Sequence, residues 1–329
     1  EHARALLWHQ GETDTQEDRW LKYAARFDTL YHAWHQDYPR LQSIYLFQIR
    51  PVTCGGEGQS RLREIQRVLP NAYPDIGLMS TAGLAGFDGC HYTPAGYNQM
   101  AEWIYPFVAR DLYGSTDTSG ITPPSVHQSY FTGPGENELA VVFDQQVVWP
   151  ADTLGASMKD YFLLDGQAGM VDSGWVRDDS IAVLKLTAPS DAARVTYLPN
   201  CWYNDDTTRV YRGPWVRNTR GIGALSFHEL PIDRSEKTLR RSHPSRFEVH
   251  VETSHSTVTA RLVLPRPGNV TVDFMSPDGR LVARVSDLSL GAGTHTVRLR
   301  AAAFAQGLYL CRIMLDRRPL RTMRALIIQ

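Results

Sequence analysis

The chain has no stretch approaching the roughly 18 consecutive apolar residues that a membrane-spanning helix needs, so no membrane span is expected. It has no excess of charge either, with 34 Lys+Arg against 35 Asp+Glu and a net charge of −1. That balance argues against a nucleic-acid binder working through a broad basic face. Cysteine is scarce, four in 329 residues, which is too few for a disulfide scaffold. Cys54 and Cys90 either pair across one domain or stand with the others as half-buried thiols. No internal repeat of fixed period is present. The first residue is Glu1 rather than Met, and strand-like sequence follows at once. The expectation is a fragment whose N-terminal part is missing, so the lack of a leader says nothing about compartment.

What is present is globular. The chain is 43% hydrophobic and 10% aromatic, far from the signature of disorder, and its length suits two or three domains. Residues 1–118 alternate strand and helix patterns. Ala5–His9, Ser43–Ile49 and Ile76–Thr81 read as strands. Trp20, Ala24, Phe27, Leu30, Tyr31 and Trp34 recur at helical spacing, with Glu17 and Asp18 expected in the first turn. Arg61–Leu69 reads as a second helix. A third opens at Thr93-Pro94, a favoured cap followed by a tolerated first-turn proline, and Pro106 is expected to kink it. This is the order of an α/β domain with a parallel sheet. Three strands are too few to close such a domain.

Ser115–Pro124 is a Ser/Thr/Gly/Pro linker. Residues 119–232 show no convincing helix; Leu139–Phe143, Tyr161–Leu164, Ile181–Leu186 and Arg194–Leu198 read as strands of a β-sandwich. Residues 233–245 are a polar, basic linker. Residues 246–329 are again strand-rich, with 12 arginines against 6 Asp+Glu. The fold class expected is α/β: a partial three-layer parallel-sheet domain followed by two all-β sandwich domains.

Two segments could carry chemistry. Trp8-His9-Gln10-Gly11-Glu12-Thr13-Asp14 lies where a strand ends, and Asp88-Gly89-Cys90-His91 lies between the last strand and the last helix. Ligands of parallel α/β sheets bind outside the carboxyl ends of the strands, so both segments belong to one edge. A carboxylate at Asp88 accepting from one ring nitrogen of His91 would fix its tautomer while the other nitrogen takes a proton. Gln10 and Gly11 could offer an amide side chain and a backbone N–H to an oxyanion.

Together these blocks, the second continuing as Tyr92-Thr93-Pro94-Ala95-Gly96-Tyr97, resemble the later blocks of SGNH hydrolases. The resemblance is to the sialate O-acetylesterase and acetylxylan esterase branch, and it covers residues 1–118. It implies an SGNH/flavodoxin-like fold and a secreted carbohydrate O-acetylesterase acting on an acetylated glycan or sialic acid by a Ser-His-Asp route, with no cofactor or metal. By it His91 is the general base, Asp88 its orienting carboxylate and Gln10 an oxyanion donor, with Gly11 beside it. Glu12 is a supporting acid or an alternative triad carboxylate. The family's nucleophilic serine precedes these blocks and is expected upstream of Glu1; Ser80, in a Ser-Thr-Ala-Gly context, does not resemble it. The fragment alone is therefore expected to be inactive. The alternative is a non-catalytic surface glycan-binding protein on a degenerate esterase scaffold.

Tyr211-Arg212-Gly213-Pro214-Trp215 and Gly223-Ala224-Leu225-Ser226-Phe227-His228 resemble the β-sandwich that follows the catalytic domain in bacterial relatives. Trp202, Tyr203, Tyr211 and Trp215 either form a sugar-stacking platform or, the favoured reading, fill the core or its junction with the first domain. His228 is read as closing a strand. Val272–Arg280, with its Pro-Asp-Gly turn, Leu290–Val297 and Gly307-Leu308-Tyr309-Leu310 resemble a C-terminal sorting domain of the type IX secretion system. That resemblance implies export from a Bacteroidetes-like bacterium, to the cell surface or beyond, with the type IX machinery as partner.

Overall fold

The computed structural model describes residues 3–52, 54–73, 75–133, 135–153, 155–198, 200, 203–204, 207–208, 212–233, 248–253, 257–264, 268–276, 280–291, 293–300, 304–315 and 318–327. The chain divides into two compact units, Glu1–Asp233 and Arg234–Gln329. None of the helices among the described residues is long and apolar enough to cross a membrane.

The first unit opens with β1 (Ala5–His9), α1 (Tyr23–Asp37), β2 (Ser43–Gln48), α2 (Gln59–Val68), β3 (Ile76–Ser80) and α3 (Pro94–Tyr113). The strands form a parallel sheet in the order β1-β2-β3. Ile44, Tyr45, Leu46 and Phe47 of the central strand are all buried, because helices cover both faces of a parallel sheet and leave no polar side to alternate. Phe27 and Trp34 of α1 and Leu62 of α2 fill one face; Met100, Ile104 and Phe107 of α3 fill the other. β1 is an edge strand, and its Leu7 is 54% exposed.

Two local expectations change. Trp20 lies in a 3-10 turn, Arg19–Lys22, and α1 begins only at Tyr23. Glu17 and Asp18 have φ of +48° and +57°; they reverse the chain ahead of the helix and do not line its first turn. Pro106 sits inside α3 without ending it. Thr93, extended, precedes Pro94 as expected, and Gly114 in the left-handed region stops the helix, where a residue without Cβ is favoured.

The first unit continues with β4 (Val126–Phe131), β5 (Glu138–Phe143), β6 (Phe162–Leu164), β7 (Val171–Arg177), β8 (Ile181–Leu186), β9 (Arg194–Tyr197), a two-residue ribbon of β10 (Tyr203–Asn204) with β11 (Thr207–Thr208), and β12 (Phe227–Asp233). Seven of these strands make one mixed sheet, ordered β6-β9-β12-β4-β5-β8-β7, in which only β12 and β4 run parallel. Three of its strands escape the sequence patterns. β4 and β7 carry polar or exposed residues. β12 is interrupted between Phe227 and Leu230, where Glu229 adopts φ +51°.

A buried polar knot joins this sheet to the α/β part. The Gln48 amide donates to the carbonyls of Arg63, 2.9 Å, and Ser226, 2.9 Å, while its oxygen accepts from the Ser226 N–H at 2.9 Å. Arg63 donates to Ser226 Oγ at 2.9 Å and to the Leu198 carbonyl. Leu225 and Ile222 enter the two α/β cores. Gln48, Arg63 and Ser226 are all nearly inaccessible, so each polar atom needs a partner inside the protein.

The second unit comprises β13 (Glu248–Thr253), β14 (Thr257–Leu264), β15 (Gly268–Met275), β16 (Leu281–Leu290), β17 (Gly293–Arg300), β18 (Gly307–Leu315) and β19 (Arg318–Ile327). A β13-β14-β17 sheet and a β16-β15-β18-β19 sheet share one core, including Val258, Leu262, Val272, Phe274 and Ile313. Between Val272 and Phe274 the side chain of Asp273 is fully enclosed, paired to Arg284 at 2.6 Å and Arg312 at 2.7 Å. The linker from 234, Phe247 and the turn residues Pro277, Asp278 and Gly279 lie outside the described residues.

Replacing Gln48 with Leu strands the buried Ser226 N–H and removes a side-chain donor from the Arg63 and Ser226 carbonyls. At about 1–3 kcal/mol for an unmet buried group, Gln48→Leu is expected to cost at least 2 kcal/mol in chemical denaturation; a change below 0.5 kcal/mol would contradict the knot's role.

Candidate active site

Both sequence blocks emerge at the carboxyl edge of the three-stranded sheet, one after β1 and one after β3. The first turns sharply. Gly11 has φ +147°, and a Cβ there would lie 2.9 Å from Leu62 Cδ2 and 3.1 Å from Gln66 Nε2, so α2 packs against bare backbone. Gln66 Nε2 donates to the Gln10 carbonyl at 3.0 Å. The Gln10 side chain donates to Asp14 and lines a cleft of about 300 Å³ with Trp8, Asp14, Tyr23 and Arg26. Glu12 pairs with His9 at 3.4 Å. Burial lowers the His9 pKa, and the Glu12 carboxylate opposes that shift. The His9 ring also meets the rings of Phe47 and Tyr92, at 6.0 and 5.8 Å between centroids. Tyr92 directly follows His91, so the two blocks adjoin through His9.

The second block is a tight loop. Asp88 Oδ1 accepts the backbone N–H groups of Cys90 at 2.8 Å and His91 at 2.7 Å. These bonds, that of His91 foremost, hold the Asp88 carboxyl below its ordinary range. Its other oxygen, Oδ2, stands 3.8 Å from His91 Nδ1. Both side chains are open to solvent, His91 at 79%. Asp88 stays ionised at neutral pH and faces the ring nitrogen, an arrangement that can stabilise an imidazolium. Among the described residues no hydrogen bond or ion pair joins His91 to Gln10 or Glu12; the Gln10 amide turns toward α1 and Asp14 instead.

Residues outside the two blocks hold this loop. Cys54 and Cys90 form a disulfide, which decides between the two readings left open for that pair; Cys311 is a buried free thiol, and Cys201 lies outside the described residues. The segment around Cys54 also grips the first block. Gln16 Nε2 donates to the Cys54 carbonyl at 2.8 Å, and Thr15 Oγ1 accepts the Gly56 N–H at 2.9 Å. Cβ atoms at Gly55 or Gly56 would come within 2.7 Å of Thr15 atoms, so the run Gly55-Gly56 allows this approach. Arg50, buried just after β2, donates to the Leu84 carbonyl at 3.1 Å and stacks over Phe87 at 4.1 Å. It also lies over the Trp215 ring, 4.9 Å from its centroid.

Trp215 thus packs at the junction of sheet and α/β part, as the favoured reading had it. Trp202, Tyr211 and the side chain of Tyr203 lie outside the described residues. Ser80 is buried, accepting from the Ala82 N–H at 3.0 Å and donating to the Ala224 carbonyl at 3.4 Å; its hydroxyl is a structural group. His228 sits near the start of β12, not at a strand end, with its backbone N–H on Glu64 Oε2 at 3.2 Å. Among the described residues no group of three or more His, Cys, Asp or Glu side chains is arranged to hold a metal ion.

Residues 1–106 match the family model for carbohydrate esterase, sialic acid-specific acetylesterase. Both blocks fall within that match. The fold of a carbohydrate acetylesterase from Xanthomonas citri superposes with a TM-score of 0.51 at 17% identity, over 68% of this chain and 49% of that one. The chain therefore spans about half the length of that protein. A pullulanase of group B Streptococcus aligns over 60% of this chain and 22% of its own at 10% identity, with a TM-score of 0.20, a likeness too slight to carry an argument. No curated protein matches the chain. The first 106 residues are thus similar to the carbohydrate esterases of that family model.

Two outcomes are expected. The Cys54–Cys90 bond closes a 36-residue separation, worth about 2–4 kcal/mol by chain-entropy reasoning; Cys90→Ser, or reductant on the parent, should lower stability by that order, and a melting curve indifferent to reductant would contradict the bond. His9 titrates below its unfolded value of about 6.5, so the unfolded chain binds its proton first. Stability is therefore lost as pH falls from about 6.5 through the lower folded pKa. His9→Gln should flatten the fall in Tm between pH 7.5 and 5.5, and an unchanged slope would contradict the assignment.

Proposed function

We propose that the parent protein is a secreted carbohydrate O-acetylesterase, cleaving acetyl esters on a glycan or sialic acid by a Ser-His-Asp mechanism. The observation that carries the reading is the family match over residues 1–106, which contains both the Gln10-Gly11-Glu12 and the Asp88–His91 blocks. In this reading a serine preceding residue 1 attacks the acetyl carbonyl while His91 Nε2 takes its proton. The imidazolium gains support from Asp88 as the 3.8 Å gap closes toward hydrogen-bond length, a tightening common when substrate binds. His91 then hands that proton to the departing sugar oxygen. Water repeats the sequence on the acyl-enzyme, releasing acetate and restoring the serine. Gln10 would serve the oxyanion after exchanging Asp14 for the substrate, with the Gly11 backbone beside it; Glu12 is either the supporting acid through His9 or the alternative triad carboxylate.

The remaining assignments are of the same kind. We read residues 1–118 as the C-terminal part of the esterase domain, 119–232 as an accessory β-sandwich, 233–245 as a linker and 246–329 as a sorting-type β-sandwich that addresses the type IX machinery. The last is supported by the two-sheet core of the second unit, and it implies a secreted or surface location.

The test uses the full-length protein with its upstream segment. It should release acetate from acetylated sugars or an aryl acetate, and His91→Ala should lower the rate by about 10³-fold or more. Asp88→Asn should lose less and shift the pH profile. Undiminished turnover in His91→Ala would defeat the mechanism.

A further inference from the structure

Beyond the esterase edge, the seven-stranded sheet carries a second cleft, of about 450 Å³, along the outer strand β7. Its walls include Val148, Trp149, Gly174, Trp175, Asp178 and Asp179. Trp175 is the one exposed tryptophan among the described residues, at 39%. An indole left in water on an edge strand forgoes burial that large apolar side chains normally gain. Trp149 is held rigid beside it. Its ring stacks on Phe162 with planes 10° apart, and it lies so close to β7 that a Cβ at Gly174 would come 2.2 Å from it. A strand glycine of this kind marks a close approach. Gly174 and Trp175 point to opposite sides of the strand, so the cleft wraps the sheet edge, with one indole on each side.

The polar rim comes from the β7–β8 turn. Asp178 and Asp179 have φ of +50° and +62°, the conformation of a tight hairpin turn, and Ser180 N–H closes it on the Asp178 carbonyl at 2.7 Å. The Asp178 carboxylate meets Arg177 only at 3.7 Å and is 75% exposed. No hydrogen bond or ion pair engages the Asp179 carboxylate among the described residues. The lining contains two carboxylates and no cationic side chain.

We infer that this cleft binds a neutral pyranose of a polysaccharide. A pyranose offers a flat C–H face for the exposed indole and hydroxyl donors for charged acceptors, which make stronger hydrogen bonds than neutral ones. The Asp179 carboxylate, with no ion pair among the described residues, disfavours uronic and sialic acids. An added peptide strand would use the β7 backbone edge and would need neither carboxylate. The inference does not rest on the esterase reading: it concerns binding, and the cleft would hold the protein on its polysaccharide whether or not acetate is released there.

Native electrophoresis of the full chain through gels containing soluble xylan, galactomannan or mixed-linkage glucan tests it, with acetate release measured separately. The chain should be retarded in at least one neutral gel and not in polygalacturonate. Trp175→Ala should weaken the retardation about tenfold, Asp179→Asn should weaken it in part, and Trp175→Phe should retain most of it. Because Trp175 is exposed, its variants should melt like the parent. No retardation in any neutral gel, equal retardation of Trp175→Ala, or preference for polygalacturonate would overturn the inference. Retardation that survives both Trp175→Ala and Asp179→Asn but is lost in Gly174→Pro would point to a backbone-edge contact instead.

Discussion

The arrangement at the sheet's carboxyl edge depends on the covalent tie between Cys54 and Cys90. His91 projects from a short loop into solvent, and an exposed loop held only by its own turn would sample many positions. The disulfide fixes that loop to the segment after β2. That segment is in turn fastened to the first block by Gln16 on the Cys54 carbonyl and by Thr15 on the Gly56 N–H. Arg50 adds a second hold through Leu84 and Phe87. The path from Glu12 to His91 therefore runs through side chains that take no part in the proposed chemistry. Their effect is to spend ordering entropy at folding, before any substrate arrives.

The same edge explains why the first 233 residues form one unit despite two different architectures. Segment 215–226 carries Ile222 and Leu225 into the α/β cores and closes the Gln48–Arg63–Ser226 knot. Trp215 packs against Arg50. Breaking a bond in a polar network this buried leaves its partner unmet, so sheet and α/β layer are fitted to each other through a handful of directional bonds.

Much of the fold was legible because its signals are local. Ser43–Gln48 and Ile76–Ser80 are apolar runs buried on both faces, and Ala5–His9 is a shorter apolar run that pairs beside them as the edge strand. Thr93-Pro94 opens α3 where the sequence placed it, with Thr93 extended and Pro94 in the first turn. The strands that were missed, β4, β7 and β12, have polar edges or a bulge, and only their neighbours make them strands. At the site, the two blocks were readable from their residues. The orientation of Gln10 toward Asp14, the role of His9 as the contact between blocks and the clamp by Arg50 were not, since each depends on partners from about 4 to 80 positions away that no spacing rule connects. The Gly55-Gly56 pair beside Cys54 was the one unused signal: adjacent glycines next to a cysteine mark a backbone pressed against something.

The most direct measurement is peptide mapping of the chain purified with its thiols blocked at acid pH. A single cross-linked peptide containing Cys54 and Cys90, with Cys311 alkylated only after unfolding, is what the account predicts. Recovery of Cys90 as a free, readily alkylated thiol, or paired with Cys201, would mean that His91 is not anchored in this way.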